Sequence, residues 1–234
     1  MDSANAVTPD ERLVEQARSG DGGAFEELIR RHKRKIFGMA ARIACDDLEL
    51  EEIVQEVFIK AYEKLASFRG DAPFEHWLAR IATNTCHDYL RKRKQRRAEV
   101  PVDLYEWTLE APVKEQGAEP EELAALARAL DRLRPDDRLV LMLLELEGKS
   151  VKETAYIMDI SEGNVKVRAH RARKPSKNCW RRNWIMDDVK LDRLLQVLRG
   201  RVVDTTRMEL GFETRTMAVL RQRRAEEPMV FSIS

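Results

Sequence analysis

Apolar residues recur at helical spacing through the first hundred positions, and this pattern predicts a block of four helices. The first three lie between residues 8 and 68, and the third of them covers about 48–66. The pattern between the first two helices is broken at three glycines: Gly20, Gly22 and Gly23. A turn at 68–73 precedes a fourth helix over about 74–94. These residues are therefore expected to form one helical domain.

A second helical block is predicted farther along the chain. Pro120 opens one helix and Pro135 another, because proline is well tolerated in the first helical turn. Ser150 caps a short helix, and Ser161 caps a final one after a tight turn at Asp159. The whole chain is therefore expected to be all-α.

The two blocks are separated by an acidic stretch, residues 98–119, which shows little periodicity. Its composition is typical of a flexible linker between domains. We therefore predict two small helical domains, over 8–97 and 120–174, joined by this linker. Residues 175–234 form an atypical C-terminal tail.

The composition agrees with a helical protein, and the distribution of charge adds to the picture. Of the 234 residues, 43% are hydrophobic, 6% aromatic and 35% charged, and the formal net charge is +1. Residues 46–56 hold six acidic and no basic residues, whereas residues 91–97 hold six basic and no acidic ones. Residues 161–174 are also mainly basic. A neutral chain with segregated charge is expected to have partners of both signs.

The sequence predicts no catalytic residue, no metal site and no cofactor. The three cysteines, Cys45, Cys86 and Cys179, lack the spacing of metal ligands and are expected to be free thiols. The N-terminus has neither the basic nor the apolar segment of a signal peptide. No apolar run approaches the roughly 20 residues that a membrane span needs. We therefore expect a soluble, cytoplasmic protein that does not insert into membranes.

The strongest local pattern is segment 150–174, which has the layout of a helix-turn-helix. Ala155, Val165 and Ala169 fall on inner faces, where they let the two helices pack closely. The basic residues that point outward or flank the second helix are Lys166, Arg168, His170, Arg171, Arg173 and Lys174. An arginine in the major groove can make a bidentate contact to guanine, and such a contact contributes about 1–3 kcal/mol. The other cations would bind phosphates. A solvated basic helix in an ordinary bundle is the alternative.

Two other segments give weaker indications. In the helix over 74–97, basic residues lie beside Phe74, Trp77 and Tyr89, which suits stacking with unpaired bases. Aromatic residues at helical spacing are more often part of a core. The second segment is the helix over 48–66, and an acidic helix face like the one it carries is usually only a solvated surface. Neither segment predicts a function alone.

Taken together, the segments resemble the extracytoplasmic-function sigma factors of bacteria, in the sigma-70 family. Two runs resemble region two of that family: LEEIVQEVFIKAYEKLASFRG and FEHWLARIATNTCHDYLRKRKQRR. One run resembles region four: ALDRLRPDDRLVLMLLELEGKSVKETAYIMDISEGNVKVRAHRARK. The resemblance covers about residues 10–174, with the motifs in the family's order. It implies a protein that is not an enzyme, directs RNA polymerase to promoters, helps melt them, and needs no ATP.

The resemblance also implies which residues face each partner. The residues that would dock on the beta-prime coiled coil of core RNA polymerase are Glu51, Glu52, Gln55 and Glu56. The residues that would read and melt the minus-ten element are Phe68, Arg69, Trp77, Asn84, Asp88, Arg91 and Arg93. The residues that would read the minus-thirty-five element are Ser161, Lys166, Arg168, His170, Arg171 and Arg173. The beta flap of the polymerase, double-stranded and melted promoter DNA, and an anti-sigma factor complete the expected partners.

Two features depart from the family's pattern. Asp159 stands where the family usually has glycine in the turn, and aspartate tolerates the left-handed conformation better than most residues. Pro175 breaks the last helix, and from Met186 the chain resembles a fresh protein start. The tail then contains amphipathic stretches at 186–199 and near 207–224. One hypothesis is an adjoining reading frame joined by frameshift or fusion; the other is a regulatory extension.

Three rival functions remain beside the sigma factor. A helix-turn-helix repressor or activator would bind duplex DNA without polymerase, usually as a dimer. A recombinase or resolvase would need a nucleophilic serine or tyrosine among arginines, which the first 100 residues do not show. An adaptor that binds only polymerase would have no use for a basic recognition helix. Dependence on core polymerase therefore separates a sigma factor from a regulator.

Overall fold

The computed structural model describes residues 9–44, 46–99, 130, 132–173 and 205–226, and no strand occurs among them. The N-terminal helices are α1 (Asp10–Arg18), α2 (Gly22–Ala41), α3 (Asp47–Glu63) and α4 (Phe74–Glu99). The later helices are α5 (Pro135–Leu141), α6 (Val151–Met158), α7 (Glu162–Arg173), α8 (Thr206–Glu209) and α9 (Phe212–Glu226). A short 3-10 helix, Leu65–Ser67, follows α3. The predicted all-α fold is confirmed.

The glycines near residue 20 differ from the prediction in part. Gly20 follows α1 with a φ of 97°, where the left-handed conformation suits glycine. Gly22 and Gly23, in contrast, lie in the first turn of α2 and not in the break. The carboxylate of Asp21 accepts hydrogen bonds from the N–H groups of Gly23 (2.9 Å) and Ala24 (3.3 Å). This N-cap starts the helix despite the low helix propensity of the glycines.

Helices α1 to α4 enclose one apolar core. The large aromatic residues Phe25, Phe37, Phe58 and Phe74 are each at most 2% exposed. They occupy the apolar stripes that the sequence pattern predicts for α2, α3 and α4. The buried stripes account for the packing of these helices, since burial of one such side chain contributes about 1.5–3 kcal/mol.

Helix α4 is longer than predicted, because it continues to Glu99 instead of ending near residue 94. Its last turns contain lysine, arginine, glutamine and alanine, which favour a helix even without an apolar stripe. Arg93 turns inward here: its guanidinium donates to the carbonyl of Ile43 (2.9 Å) and lies 3.6 Å from Glu49. The predicted linker therefore begins inside α4, and its residues 100–119 lie outside the described residues.

Helix α5 begins as predicted, with Pro135 at its start. It continues as a π-helical segment, Met142–Leu146, which the apolar spacing did not predict. Leu139 and Leu143 are fully buried as expected, but Leu144 is only half-buried. A π turn advances each side chain by a smaller angle than an α turn, and this changed register accounts for the position of Leu144.

The two helical blocks pack against each other through α4. Both α5 and α6 contact α4, and Leu139, Leu143 and Ile157 join the N-terminal core. Two charged pairs lie beside this apolar contact: Arg80 with Asp159 (2.6 Å) and His87 with Asp136 (2.9 Å). The division into two domains thus stays a prediction, and the described conformation holds both blocks together.

Part of the tail packs on the N-terminal block. The amphipathic stretch predicted near 207–224 is helical as α8 and α9, and α9 lies against α2 and α3. Phe212, at the start of α9, is fully buried against Phe37 and Phe58. The stretch predicted at 186–199 lies outside the described residues.

Candidate nucleic-acid and polymerase interfaces

The helix-turn-helix is fixed by two caps and one left-handed residue. Ser150 Oγ accepts from the N–H of Glu153 (3.1 Å), and the Glu153 carboxylate accepts from the N–H of Ser150 (2.8 Å). The hydrogen bond from the Ser150 backbone is the main reason why the pKa of Glu153 is lowered. Asp159 ends α6 with a φ of 56°, and Ser161 Oγ accepts from the N–H of Asn164 (3.2 Å). The predicted turn is confirmed.

The inner face of α7 fixes this helix against α5 and α6. Val165, Ala169 and Ala172 are at most 4% exposed. Arg171 adds a bidentate pair, in which Nε and Nη2 donate to the carboxylate of Asp137 at 2.8 and 2.6 Å. The Asp137 side chain is only 3% exposed, and its hydrogen bonds raise the pKa of Arg171. Arg171 thus has a structural partner inside the protein.

The outer face of α7 presents a smaller set of side chains than the sequence predicted. Lys166 and His170 are exposed about one helical turn apart. Val167, which follows Lys166 in the chain, is 62% exposed, and the basic pattern of this helix did not predict its role. The sequence feature that could have identified Val167 is an apolar side chain on the side of the helix opposite to Ala169, which is buried. An exposed valine can contact the methyl group of thymine.

Two further arginines of the predicted minus-thirty-five set also have partners. The Nε of Arg168 donates to Asn164 (3.0 Å), and its Nη1 lies 2.5 Å from Asp136. Arg173 pairs with Glu145. The predicted set therefore divides by contact and not by exposure: its three arginines contact carboxylates of the preceding helical segments, although Arg171 and Arg173 are themselves exposed.

One face of α4 carries polar members of the predicted minus-ten set. Asn84, Asp88 and Arg91 recur at helical spacing and are exposed. Trp77 lies two turns before Asn84 on the same face and is half-buried. Lys60 of α3 lies 3.7 Å from Asp88 at the edge of this face. The structure therefore brings four predicted residues onto one surface.

The other members of the minus-ten set lie elsewhere. Phe68 is buried and packs edge-to-face against Phe74 and Trp77, with ring centroids 5.7 and 5.5 Å away. Arg93 points into the core from a different side of α4, whereas Arg69 is exposed in the loop. In this conformation, Phe68 supports Trp77 and does not itself offer a ring to a base.

The predicted polymerase-facing set lies along one side of α3. Glu52 is exposed, and three members are half-buried: Glu51, Gln55 and Glu56. Burial raises the pKa of Tyr89 on α4, and the charges of Glu52 and Glu56 add to this effect. The acidic face therefore extends its negative potential as far as α4.

Two acids of this set contact the tail. Glu51 lies 2.8 Å from Arg215, and Glu56 lies 3.7 Å from Arg223. Arg223 also lies 3.4 Å from Glu63, one turn beyond Lys60 on α3. The sequence did not indicate these contacts, because residues on α3 and α9 are far apart in the chain.

The cysteine and histidine side chains give no indication of a metal centre within the described ranges. No group of three or more histidine, cysteine, aspartate or glutamate residues there is placed to hold a metal ion. Cys86 is buried, and burial raises the pKa of its thiol to about 12. Cys45 and Cys179 lie outside the described residues. None of the described helices has the length and apolar character needed to cross a membrane.

Comparisons with known proteins match both helical blocks. The Sigma-70 region 2 model matches residues 28–96, and the Sigma-70, region 4 model matches residues 123–174. The ECF RNA polymerase sigma-E factor of Escherichia coli (strain K12) is 37% identical over 182 residues, which are 72% of this chain and 93% of that relative. The chain belongs to the extracytoplasmic-function sigma factors. This sigma factor directs RNA polymerase to promoters, as the two motifs predicted.

Two solved structures have a similar fold. CnrH, in complex with the cytosolic domain of CnrY, is 30% identical with a TM-score of 0.50, and the match covers 70% of this sigma factor and 92% of CnrH. The sigma factor RpoE of Bartonella quintana, in complex with the anti-sigma factor NepR, shares the fold at 22% identity and a TM-score of 0.51, over 75% of this chain and 97% of RpoE. Helix α3 and all but the last three residues of α4 lie within the region 2 match, and α5 to α7 lie within the region 4 match.

Proposed function

We propose that this sigma factor divides its work between two domains, residues 8–97 and 120–174, joined by the linker 98–119. The first domain binds core polymerase and recognises and melts the minus-ten element, and the second recognises the minus-thirty-five element. The matches to region 2 and region 4 support this division. The tail, residues 175–234, belongs to neither domain.

The outer face of α7 is the observation that carries the proposal. Lys166, Val167 and His170 project from a helix whose inner side is packed against α5 and α6. This face suits the major groove, where polar side chains contact base edges and valine contacts a thymine methyl. Arg168, Arg171 and Arg173 flank the face and would share their carboxylate partners with DNA phosphates, which makes binding salt-dependent. Ser161 would hold the start of the helix in place.

In the first domain, the face of α4 would contact the melted minus-ten strand. The half-buried ring of Trp77 lies on one surface with Asn84, Asp88 and Arg91. Stacking of an unpaired base on an aromatic ring is worth about 1–3 kcal/mol. Extrusion of a base costs about a few kcal/mol, which stacking and the basic end of α4 would offset. Arg69 would add a cation at the edge of this surface.

The acidic face of α3 would dock on the beta-prime coiled coil of the polymerase. Glu51, Glu52 and Glu56 favour a basic partner, and Gln55 adds a neutral hydrogen-bonding group. Charge complementarity of this kind contributes to orientation and association rate more than to affinity. The beta flap is the expected contact of the second domain.

Recognition of both promoter elements requires the two domains to separate. The two elements are about 25 base pairs apart, which is about 85 Å of B-form DNA. In the described conformation α4 contacts α6 directly. We therefore expect the pairs Arg80–Asp159 and His87–Asp136 to break when the sigma factor binds polymerase and DNA.

The proposal includes no catalytic step and no cofactor, because the polymerase and binding energy open the promoter. The place of action is the cytoplasm, where polymerase and promoter DNA meet. An anti-sigma factor is a further expected partner; RpoE of Bartonella quintana, which has a similar fold, was solved in complex with the anti-sigma factor NepR.

Transcription by purified core polymerase on a promoter library tests the proposal. We expect transcripts that start downstream of one shared two-part motif, and only when the sigma factor is present. Core polymerase alone is the control. Specific binding to duplex DNA without core, combined with no programmed initiation, would instead support a helix-turn-helix regulator.

A matched pair of substitutions links the motif to the structure. His170→Ala on the outer face of α7 is expected to relax the minus-thirty-five part of the motif and leave the minus-ten part unchanged. Arg12→Ala, at an exposed position on α1, should leave both parts unchanged. An unchanged motif with His170→Ala would contradict the assignment of this residue to the DNA-binding face.

A further inference from the structure

Helix α9 covers a groove between α2 and α3. The ring of Phe212 is fully buried, with centroids 5.0 Å from Phe37 and 5.9 Å from Phe58. Met217 and Leu220 are 5% and 6% exposed and extend the contact along the helix. Helical spacing places Phe212, Met217 and Leu220 on one side of α9. The apolar side of this tail helix is therefore matched to a surface of region 2.

Polar contacts hold the beginning of α9 on α2. The Nζ of Lys33 donates to the carbonyl of Glu209 (2.9 Å) and pairs with the carboxylate of Glu213 (2.8 Å). Burial raises the pKa of Glu213, but the hydrogen bond from Lys33, a backbone hydrogen bond and the charges of Lys33 and Arg30 together outweigh it, so that the pKa lies below its ordinary value. The carboxylate of Glu213 is therefore stabilised in its charged form by the docked position.

The basic side of α9 faces the acidic side of α3. Arg215 lies 2.8 Å from Glu51, and Arg223 lies within 4 Å of both Glu56 and Glu63. Glu51 and Glu56 are two of the acids that we propose for contact with the polymerase. A basic helix of the same chain thus occupies the surface for which a basic polymerase element is expected.

We propose that α9 is a built-in competitor of core polymerase, which occupies the α2–α3 surface and must leave before the polymerase binds there. This inference rests on the proposed polymerase contact of α3. Two helices cannot occupy the same groove and carboxylates at once, so docking of the tail and binding of the polymerase exclude each other. Docking is intramolecular and its strength is set by an effective concentration, not by the concentration of the protein.

A substitution at the centre of the contact tests the competition in the full chain. Phe212→Ala removes the buried ring, and Arg221→Ala, exposed on the opposite side of α9, is the matched control. We expect Phe212→Ala to bind core polymerase about tenfold more tightly than the unmodified chain, which corresponds to an undocked fraction of about one in ten. Arg221→Ala should bind like the unmodified chain. Titration of fluorescently labelled sigma factor with core polymerase measures both affinities.

Hydrogen exchange measured without polymerase reports docking separately. We expect slow exchange over residues 212–226 in the unmodified chain and in Arg221→Ala, and fast exchange in Phe212→Ala. Exchange over α2 and α3 shows whether region 2 stays folded. The double variant Arg215→Glu, Arg223→Glu changes only partly exposed side chains and places like charges against α3. It should also bind polymerase more tightly, and it keeps the test decisive if Phe212→Ala fails to fold.

Each contrary outcome has a distinct meaning. Equal polymerase affinities of the unmodified chain and the undocked variants would overturn the competition. Fast exchange of α9 in the unmodified chain would overturn the docking itself. Absence of polymerase binding by every variant, including the undocked ones, would contradict the proposed function and remove the inference with it.

Discussion

Arg171 of α7 and Arg215 of α9 each pair with a carboxylate, but the two carboxylates differ in burial. Arg171 contacts Asp137, whose side chain is 3% exposed, through two hydrogen bonds. Arg215 contacts Glu51, which is 35% exposed, while the two arginines are themselves about equally exposed, Arg171 at 46% and Arg215 at 45%. Removal of Arg171 would leave the buried Asp137 carboxylate without compensation, whereas the exposed pair on α9 contributes little. We conclude that α7 is anchored on α5, while the charges on α9 orient a helix that can be released.

The largest expected effect comes from removing the pair between Arg171 and Asp137. Asp137→Ala should lower the free energy of unfolding by about 1.5–3 kcal/mol, because it removes both charge-assisted hydrogen bonds that hold Arg171 of α7 on α5. Urea denaturation followed by circular dichroism measures the change. Glu145→Ala removes the more exposed partner of Arg173 and should cost less than about 1 kcal/mol. Equal losses from the two substitutions would contradict the difference in anchoring.

A second substitution tests the anchoring at the start of the helix-turn-helix. Ser150→Ala should lower the free energy of unfolding by about 1 kcal/mol, because the N–H of Glu153 loses its acceptor. Ser19→Ala is the control, since this exposed serine only donates to the carbonyl of Glu15. Thermal unfolding of the two variants provides the measurement. No difference between them would show that the capping box is not a source of stability.

Acid should weaken the attachment of α9 through Glu213. The pKa of this carboxyl is lowered in the folded chain, so its contribution is present above the ordinary value of 4.5 and is lost as pH falls through the lowered pKa. The Glu213→Gln variant has no carboxyl group at this position. Between pH 7 and pH values below the lowered pKa, its free energy of unfolding should therefore fall by less than that of the unmodified chain. Urea denaturation at several pH values measures the difference. A parallel decline of both chains would rule out this role of Glu213.

The smallest effect is expected from the charges of α9. Arg215→Glu should change the free energy of unfolding by less than about 1 kcal/mol, because the pair with Glu51 is partly exposed. The same urea experiment used for Asp137→Ala measures it. A loss as large as that of Asp137→Ala would mean that α9 is an integral part of the fold and not a releasable helix.

Much of the fold could be predicted because its determinants are local. Ser150 and Glu153 are three residues apart, and the capping box that they form was visible as a cap before a helical pattern. Asp159 takes the left-handed conformation that the turn requires. The π-helical segment Met142–Leu146 could not be predicted, since its apolar spacing also fits an ordinary α-helix.

The candidate site was predictable only in part. Helical period places Lys166 and His170 on the outside of α7, where the structure also has them. It does not show that Arg171 is held by Asp137 or that Arg93 turns into the core. The basic pattern of α7 does not include Val167, although an apolar residue on an exposed face also indicates a contact surface.

The sequence by itself determined the helices, their caps and the membership of the family, since these depend on residues close together in the chain. The tertiary structure alone decided which helix covers which face. Arg171 and Asp137 are 34 residues apart, and Arg215 and Glu51 are 164 residues apart. Periodicity shows which side of a helix is apolar or charged, but not which distant segment buries or neutralises it. That choice depends on the free energy of the whole packed chain, in which shape and charge must match at the same contact.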